Sequence, residues 1–394
     1  MMPRKMDYSG AVATDIVAFC KDWHEDHTAN HHVMRELAKT RKVLWLNSVA
    51  TRAPNLSSGR DMKKIVRKVR EFTRGPVHME TNLWVFSPLV LPLPHNPAAQ
   101  AINRQLLRAT IRAMRLRLGI REFDLWTFLP STGDYIGRLG ERKSIYYCTD
   151  EWSMFSNMDQ NRMAETEQRQ LRKLDCVFAI NHALADNKRK YAANTYVSPH
   201  GVDHAKFARA LDDDLAIPAD LAALPGPRIG FYGTVQDWID FDLIAAAARA
   251  RPTWSFVLLG QVLTDASKIS NLPNVHLLGR KPHNDLPAYC KGFDAGIIPY
   301  RIDDKRMEFV NPVKLREYLS TGISVVSTAV PEVVRYANLC HVANSTDEFI
   351  KLLDVAVAEG ASKSARQARS DTMRDETWAA RIRFVEEKIA AAHK

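Results

Sequence analysis

The sequence predicts an α/β protein made of two halves of similar size, and three observations predict it. β-branched and aromatic runs of strand length alternate with helical segments from Asp15 onward. Residues 208–227, ARALDDDLAIPADLAALPGP, are rich in Ala, Pro and Asp, lack a long apolar run, and separate two such alternations. Residues 309–328, FVNPVKLREYLSTGISVVST, read as loop, helix and buried parallel strand. The chain has 394 residues, 46% of them hydrophobic and 25% charged, a soluble globular composition with enough length for about two domains.

Five cysteines, Cys20, Cys148, Cys176, Cys290 and Cys340, are scattered without C-x-x-C spacing, which argues for reduced thiols in a cytoplasmic setting rather than a disulfide framework or zinc site. MMPRKMDYSG leads into no signal-peptide core, and no run of about 18 apolar residues suits a membrane span. Charge is uneven. Residues 1–200 carry 31 Lys and Arg against 20 Asp and Glu, whereas residues 201–394 carry 24 against 25. Residues 35–121 hold 18 basic and 4 acidic side chains, which implies an anionic macromolecular surface, phospholipid or nucleic acid.

The first half opens with a strand at Asp15–Cys20, a polar His-rich turn, a helix over 30–40 and a strand at Val43–Asn47. The turn lies where open α/β sheets bind ligands, so Asp22, Trp23, His24, His31 and His32 are candidates for a substrate wall, with capping and core packing as the alternative. Residues 62–74 place Met62, Ile65, Val66, Val69 and Phe72 on one helical stripe, with Lys63, Lys64, Arg67, Lys68, Arg70 and Arg74 on the other face. Such a helix either lies in an anionic lipid interface or packs on the core with its charges solvated. LWVFSPLVLPLPHNP, residues 83–97, runs from a strand into an apolar proline-broken loop, and the following helix to Leu118 aligns Arg104, Arg108, Arg112 and Arg115 along one side, a spacing suited to phosphates. Strands at 124–130, 143–150 and 176–181 follow. The second of them delivers Asp150 and Glu151 to the rim, as a general base for a sugar hydroxyl or as the cap of the next helix. TYVSPHGVD, residues 195–203, closes the half.

The second half restarts with RIGFYGTV, residues 228–235, whose Gly230 and Gly233 allow backbone N–H groups near a phosphate. A helix at 241–250, strands at 254–260 and 274–280, a helix at 284–290 and a strand at 294–300 lead to the stretch 309–328, putting Arg280, Tyr300, Arg301, Lys305 and Arg306 on carboxyl-end loops. There Asn311 is expected to cap a three-turn helix with Pro312 at its first position, and Gly322 to close it in a left-handed conformation. Lys314 and Glu317 share one face, set either for a phosphate and a polyol such as ribose or as an ordinary surface pair. The final helix, from about Glu376 to His393, is long enough to return to the first half.

GFYGT, NVHLLG, LPAYCKGFDAGIIPY and NPVKLREYLSTGISVVST, in that order, resemble the second half of a GT-B glycosyltransferase of the family 4 type, including xanthan glucuronosyltransferase-like enzymes of exopolysaccharide assembly. The resemblance implies two Rossmann-like domains facing across a cleft: an acceptor and membrane-associating domain at 1–207, a linker at 208–227, a nucleotide-sugar domain at 228–375 and a returning helix at 376–394. It implies a UDP-sugar donor, UDP-glucuronate among the choices, met by the Gly233–Thr234 turn, Arg280, Tyr300, Arg301, Asn311, Lys314 at the diphosphate and Glu317 at the ribose. Retaining members usually carry an acid eight residues before the position of Glu317, which here is Phe309, so the resemblance favours an inverting displacement with Asp150 as base and with no metal or other cofactor.

The expected partners are a polyprenyl-diphosphate-linked acceptor touching Trp23, His24, His31 and Glu151, and the anionic inner membrane face, held peripherally by Lys63, Lys64, Ile65, Val69, Phe72, Arg104 and Arg108; no nucleic acid is expected. Two other classes remain open on sequence: a sugar-nucleotide epimerase on the same fold, and a non-enzymatic protein binding nucleic acid through the basic region.

Overall fold

The computed structural model describes residues 13–25, 28–48, 59–91, 93, 96–154 and 159–392, the side chains of 59–65 excepted. The chain divides into two compact units, Met1–Pro199 with Arg381–Lys394, and His200–Ala380.

The first unit is built on an eight-stranded sheet. Its strands are β1 (Asp15–Phe19), β2 (Val43–Leu46), β3 (Val77–Glu80), β4 (Leu83–Phe86), β5 (Phe123–Thr127), β6 (Ser144–Cys148), β7 (Cys176–Ala179) and β8 (Thr195–Val197), in the order β3-β4-β2-β1-β5-β6-β7-β8. All neighbours are parallel except β3 and β4. β1, β2, β5, β6 and β7 read as near-continuous apolar runs because parallel strands are covered on both faces. The edge strand β3, which sequence reasoning missed, alternates little and exposes Val77 and His78. The helices at Gln160–Leu171 and His182–Arg189, also missed, complete the crossovers. The last helix, Trp378–Ala391, contributes residues from Arg381 onward to this unit: buried Glu386 pairs with Arg41, and Lys143 donates to the Ala392 carbonyl at 3.1 Å.

The second unit holds β9 (Arg228–Tyr232), β10 (Ser255–Leu259), β11 (Val275–Gly279), β12 (Ala295–Ile298), β13 (Ser324–Thr328) and β14 (His341–Ala343), all parallel, in the order β11-β10-β9-β12-β13-β14. The order reverses between β9 and β12, and in open sheets that switch point opens a crevice at the carboxyl ends of the strands. The helix Thr346–Gly360 seals one face through Phe349 and Leu353.

The division falls at Pro199/His200 rather than within 208–227. That stretch is not a solvated linker: residues 219–222 form a helical turn whose Leu221 is fully buried in the second core, and Gly292 lies against it so closely that a Cβ there would meet Leu221 at 2.6 Å. Gly230 also has a role other than the one expected, since a Cβ would strike the Phe293 ring at 2.1 Å. It is a packing glycine under the sheet.

Candidate functional site

At the switch point of the second unit, β9 ends in Tyr232 and the chain turns at Gly233, whose φ of +132° disfavours any side chain. A Cβ on Gly260, at the end of β10, would lie 1.9 Å from the Gly233 carbonyl oxygen, so both turns must be bare for the backbones to approach. Across the switch, the helix Val313–Ser320 points its first turn at Gly233. The Lys314 Nζ sits where a Gly233 side chain would be, 2.9 Å from that Cβ position, and donates to the Tyr300 hydroxyl at 2.6 Å. It lies over the Phe231 and Tyr300 rings at 4.4 and 4.9 Å from their centroids. No carboxylate pairs with it among the described residues. Aromatic faces and a hydroxyl therefore hold an ammonium to which the described residues supply no counter-anion.

Glu317, one turn deeper and buried, accepts from the Tyr232 hydroxyl at 2.7 Å and from His283 Nε2 at 2.9 Å. Lys206 Nζ lies 2.8 Å from His283 Nδ1. An ammonium only donates, so Nδ1 is the acceptor and the ring proton sits on Nε2, facing Glu317; this tautomer is assigned from the network. Burial first, then the Glu317 charge, pushes the Tyr232 hydroxyl well above its ordinary value, so it remains a donor. Tyr232, His283 and Lys206 were not singled out from sequence. Tyr232 stood in the recognised GFYG run, but KPH at 281–283 carries no spacing signal.

The other expected donor residues divide. Asn311 does not cap the helix: Pro312 is the N-cap, and the Asn311 side chain is buried, accepting from Arg316 at 2.7 Å and donating to Glu332 at 3.3 Å. Arg316, fully buried, outcompetes the cap because an unpaired interior guanidinium would cost more than a missing cap bond. The helix has two turns, not three, and Gly322 does close it with φ +77°. Thr234 follows directly on the Gly233 turn. Arg280 is exposed at the end of β11, and Arg301 is turned aside into a pair with Asp303 at 2.7 Å.

In the first unit, Asp150 stands at the carboxyl end of β6 and receives the Thr149 hydroxyl at 2.8 Å. Water reaches the side chain, yet incomplete hydration raises its pKa above the ordinary carboxylate value, with the Thr149 bond and the Lys21 charge opposing. Asp159, not Asp150, caps the helix Gln160–Leu171. Glu151 is engaged internally: Lys188 bridges it at 2.9 Å and Glu167 at 2.7 Å, and Ser153 donates to it at 2.7 Å. Desolvation acts against the Glu151 charge, but Lys188 and Ser153 outweigh it and the net direction is down; for Glu167, desolvation wins and the direction is up.

Two members of the expected acceptor wall are core residues. His31 has no exposed surface: it accepts the Thr28 N–H at 3.3 Å on Nδ1 and donates from Nε2 to the Trp23 carbonyl at 3.0 Å, closing the helix Ala29–Ala38 as a capping-box partner. Trp23 is buried against His31 and Trp45. His24 is exposed. Asp22 is buried and binds Lys68 at 2.7 Å, Arg67 at 3.4 Å and Ser48 at 2.7 Å, so the helix Gly59–Arg74 is anchored by two of its cations and by Phe72 against Phe86. Val66 and Val69 of the same helix are exposed, at 64% and 43%. Lys63, Lys64 and Ile65 lie in the helix, with side chains outside the described residues. Arg104 is half-buried and Arg108 exposed. Among the described residues no group of three or more His, Cys, Asp or Glu could hold a metal ion, and no helix is long and apolar enough to cross a membrane.

Residues 226–356, which contain Gly233, His283, Tyr300, Lys314 and Glu317, match the family described as Glycosyl transferases group 1. Over 255 residues the protein is 24% identical to TuaH of Bacillus subtilis (strain 168), which is named as a teichuronic acid biosynthesis glycosyltransferase; the match spans 59% of this chain and 63% of TuaH. Among solved structures, Anabaena HepE in complex with UDP and glucose aligns with a TM-score of 0.66 at 11% identity, over 96% of this chain and 100% of that one. Sucrose-phosphate synthase of Thermosynechococcus elongatus aligns at 0.65 with 14% identity, over 96% and 100%. The protein has the GT-B fold, and the residues that match group 1 glycosyl transferases lie within the second unit.

Proposed function

We propose that the protein is a glycosyltransferase that moves a sugar from a UDP-linked donor to a lipid-linked saccharide during polysaccharide assembly, by an inverting displacement without a metal. The observation that carries this reading is the Lys314 ammonium at the Gly233 turn, held by Tyr300 and Phe231 with no carboxylate partner among the described residues. A diphosphate is the anion that such a bare-backbone turn and helix end accept, and Glu317 is placed one turn away to take ribose hydroxyls. Lys314 and the helix end would meet the charge developing on the leaving UDP. Asp150, with its raised pKa, would take the proton of the attacking acceptor hydroxyl. The UDP in the HepE complex and the teichuronic acid assignment of TuaH support the donor and the polymer class.

The pairing of Arg301 with Asp303, and of Arg306 with Asp304 and Asp237, leaves Lys305 as the cation of that loop for a glucuronate carboxylate. Membrane attachment rests on the first unit, where Val66 and Val69 stand exposed beside Arg67 and Arg70, and where Leu91, Leu93 and Ile102 are also exposed. Together with Lys63, Lys64, Ile65, Arg104 and Arg108, these would hold the enzyme peripherally on an anionic cytoplasmic membrane face.

The test is release of UDP from UDP-glucose, UDP-glucuronate and UDP-N-acetylglucosamine in the presence of a bacterial lipid-linked saccharide extract. Extract-dependent release with one donor, abolished in Asp150→Asn while UDP binding persists, is the expected result. Interconversion of the free UDP-sugars without an acceptor would instead reveal an epimerase.

A further inference from the structure

We infer that the first unit contains a second anion site, a pocket for a phosphoester group, at the end of its sheet opposite Asp150. The helix Pro97–Leu118 runs back from β4 toward the amino end of β5, closes at Gly119 with φ +67°, and leaves its last two turns beside the loop that precedes β6. Arg108, Arg112, Arg115 and Arg121 line a cavity there of about 400 Å³ whose remaining wall is Leu116, Ile120, Leu139 and Gly140.

Four guanidinium groups share this pocket, and none of them forms an ion pair among the described residues. The nearby acid Glu141 is spent on the backbone N–H of Leu139, at 3.0 Å, and on that of Gly137. The negative end of the helix dipole accounts for cations in the final turn, and Arg115 does reach the Arg121 carbonyl. It does not account for Arg112 and Arg108, one and two turns earlier. Arg115 is stacked on Phe123 at 3.9 Å, and its Nε is buried without a hydrogen-bond partner. Desolvation, then repulsion from Arg112, outweighs the favourable Glu141 charge, so the net direction of the Arg115 pKa is down. An anion with several acceptor oxygens would satisfy these donors in the forked geometry that guanidinium offers. The apolar wall, with Leu116 exposed at the mouth, suits a phosphate ester that carries carbon. A phospholipid headgroup and a soluble phosphate ester share this chemistry.

The experiment uses the full chain. Thermal stabilisation is titrated with inorganic phosphate and glycerol 3-phosphate, and co-sedimentation is measured with phosphatidylglycerol and phosphatidylcholine vesicles. Wild type is compared with Arg112→Gln, Arg121→Gln and, outside the pocket, Arg117→Gln; an unchanged circular dichroism spectrum and an unchanged ligand-free melting profile verify each fold. A tenfold or greater loss of phosphate or glycerol 3-phosphate affinity in the two pocket variants, but not in Arg117→Gln, is expected. If phosphatidylglycerol capture falls in the same variants, the source is a lipid headgroup; if capture is insensitive to them, it is a soluble ester. Equal behaviour of all four proteins with every probe would overturn the site. So would an equal loss in Arg117→Gln, or DNA displacing phosphate through the same arginines, which would mark diffuse polyanion binding. The inference concerns the first unit alone and stands or falls apart from the donor site.

Discussion

Replacing Gly233 by alanine separates backbone strain from ligand binding, because the structure provides its own control. Gly279 also has a positive φ, +69°, but a Cβ there meets nothing within 4 Å, so Gly279→Ala should cost only the left-handed penalty of about 1 to 2 kcal/mol. Gly233→Ala carries a comparable penalty of about 1 to 3 kcal/mol and also places its Cβ 2.9 Å from the Lys314 Nζ. That ammonium ends a flexible side chain and moves aside at little cost in stability. Moving, it leaves the Tyr300 hydroxyl and the position where a diphosphate would sit. A hydrogen bond to a charged group contributes about 1.5 to 3 kcal/mol, so UDP affinity should drop roughly ten- to a hundredfold. The assay is urea unfolding for stability and isothermal calorimetry for UDP on both variants. Both are expected to lose stability similarly, and only Gly233→Ala to lose affinity. A folded Gly233→Ala that binds UDP as tightly as wild type would refute the placement of the phosphate.

Other expectations follow from the first unit. Lys188→Met strips the cation from buried Glu151 and Glu167 and should cost about 3 to 5 kcal/mol at neutral pH in urea unfolding. The stability from Glu151's lowered pKa is present above its unfolded value and lost as pH falls, whereas Glu167's raised pKa makes stability fall as pH rises. The deficit of the variant should therefore shrink on acidification, and a constant deficit between pH 5 and 8 would count against the network. Asp150→Asn should lower turnover by about a hundredfold or more, and the acid limb of the wild-type rate should lie above 3.8, the ordinary value for the group. Val66→Ser with Val69→Ser should weaken capture by phosphatidylglycerol vesicles roughly thirtyfold, from about 2 kcal/mol of apolar burial; unchanged capture would remove that helix from the contact.

Strands and the glycine turn were legible because they are local: β-branched runs mark β9 to β13, and Gly233 with Lys314 and Glu317 falls within recognisable spacing. What sequence hid is set by tertiary partners. Asn311 looks like a cap until the buried Arg316, five residues later, claims it. His31 and Trp23 look like a ligand wall because the strand end puts them at the rim, yet a capping box and Trp45 draw them into the core. Residues 62–74 look like a clean apolar stripe, but Lys68 turns inward to the buried Asp22 while Val66 turns out. No spacing rule could bring Lys206 and His283 to Glu317, since they lie 111 and 34 residues away.

The most direct measurement is calorimetric titration of wild type and Lys314→Ala with UDP. At a hundred times its dissociation constant a specific ligand also adds about 2.7 kcal/mol to stability, so a thermal shift should accompany the heat. Saturable UDP binding by wild type, weakened at least tenfold in Lys314→Ala with the fold intact, is the expected result. Absence of UDP binding by wild type, or equal binding by the two proteins, would contradict it.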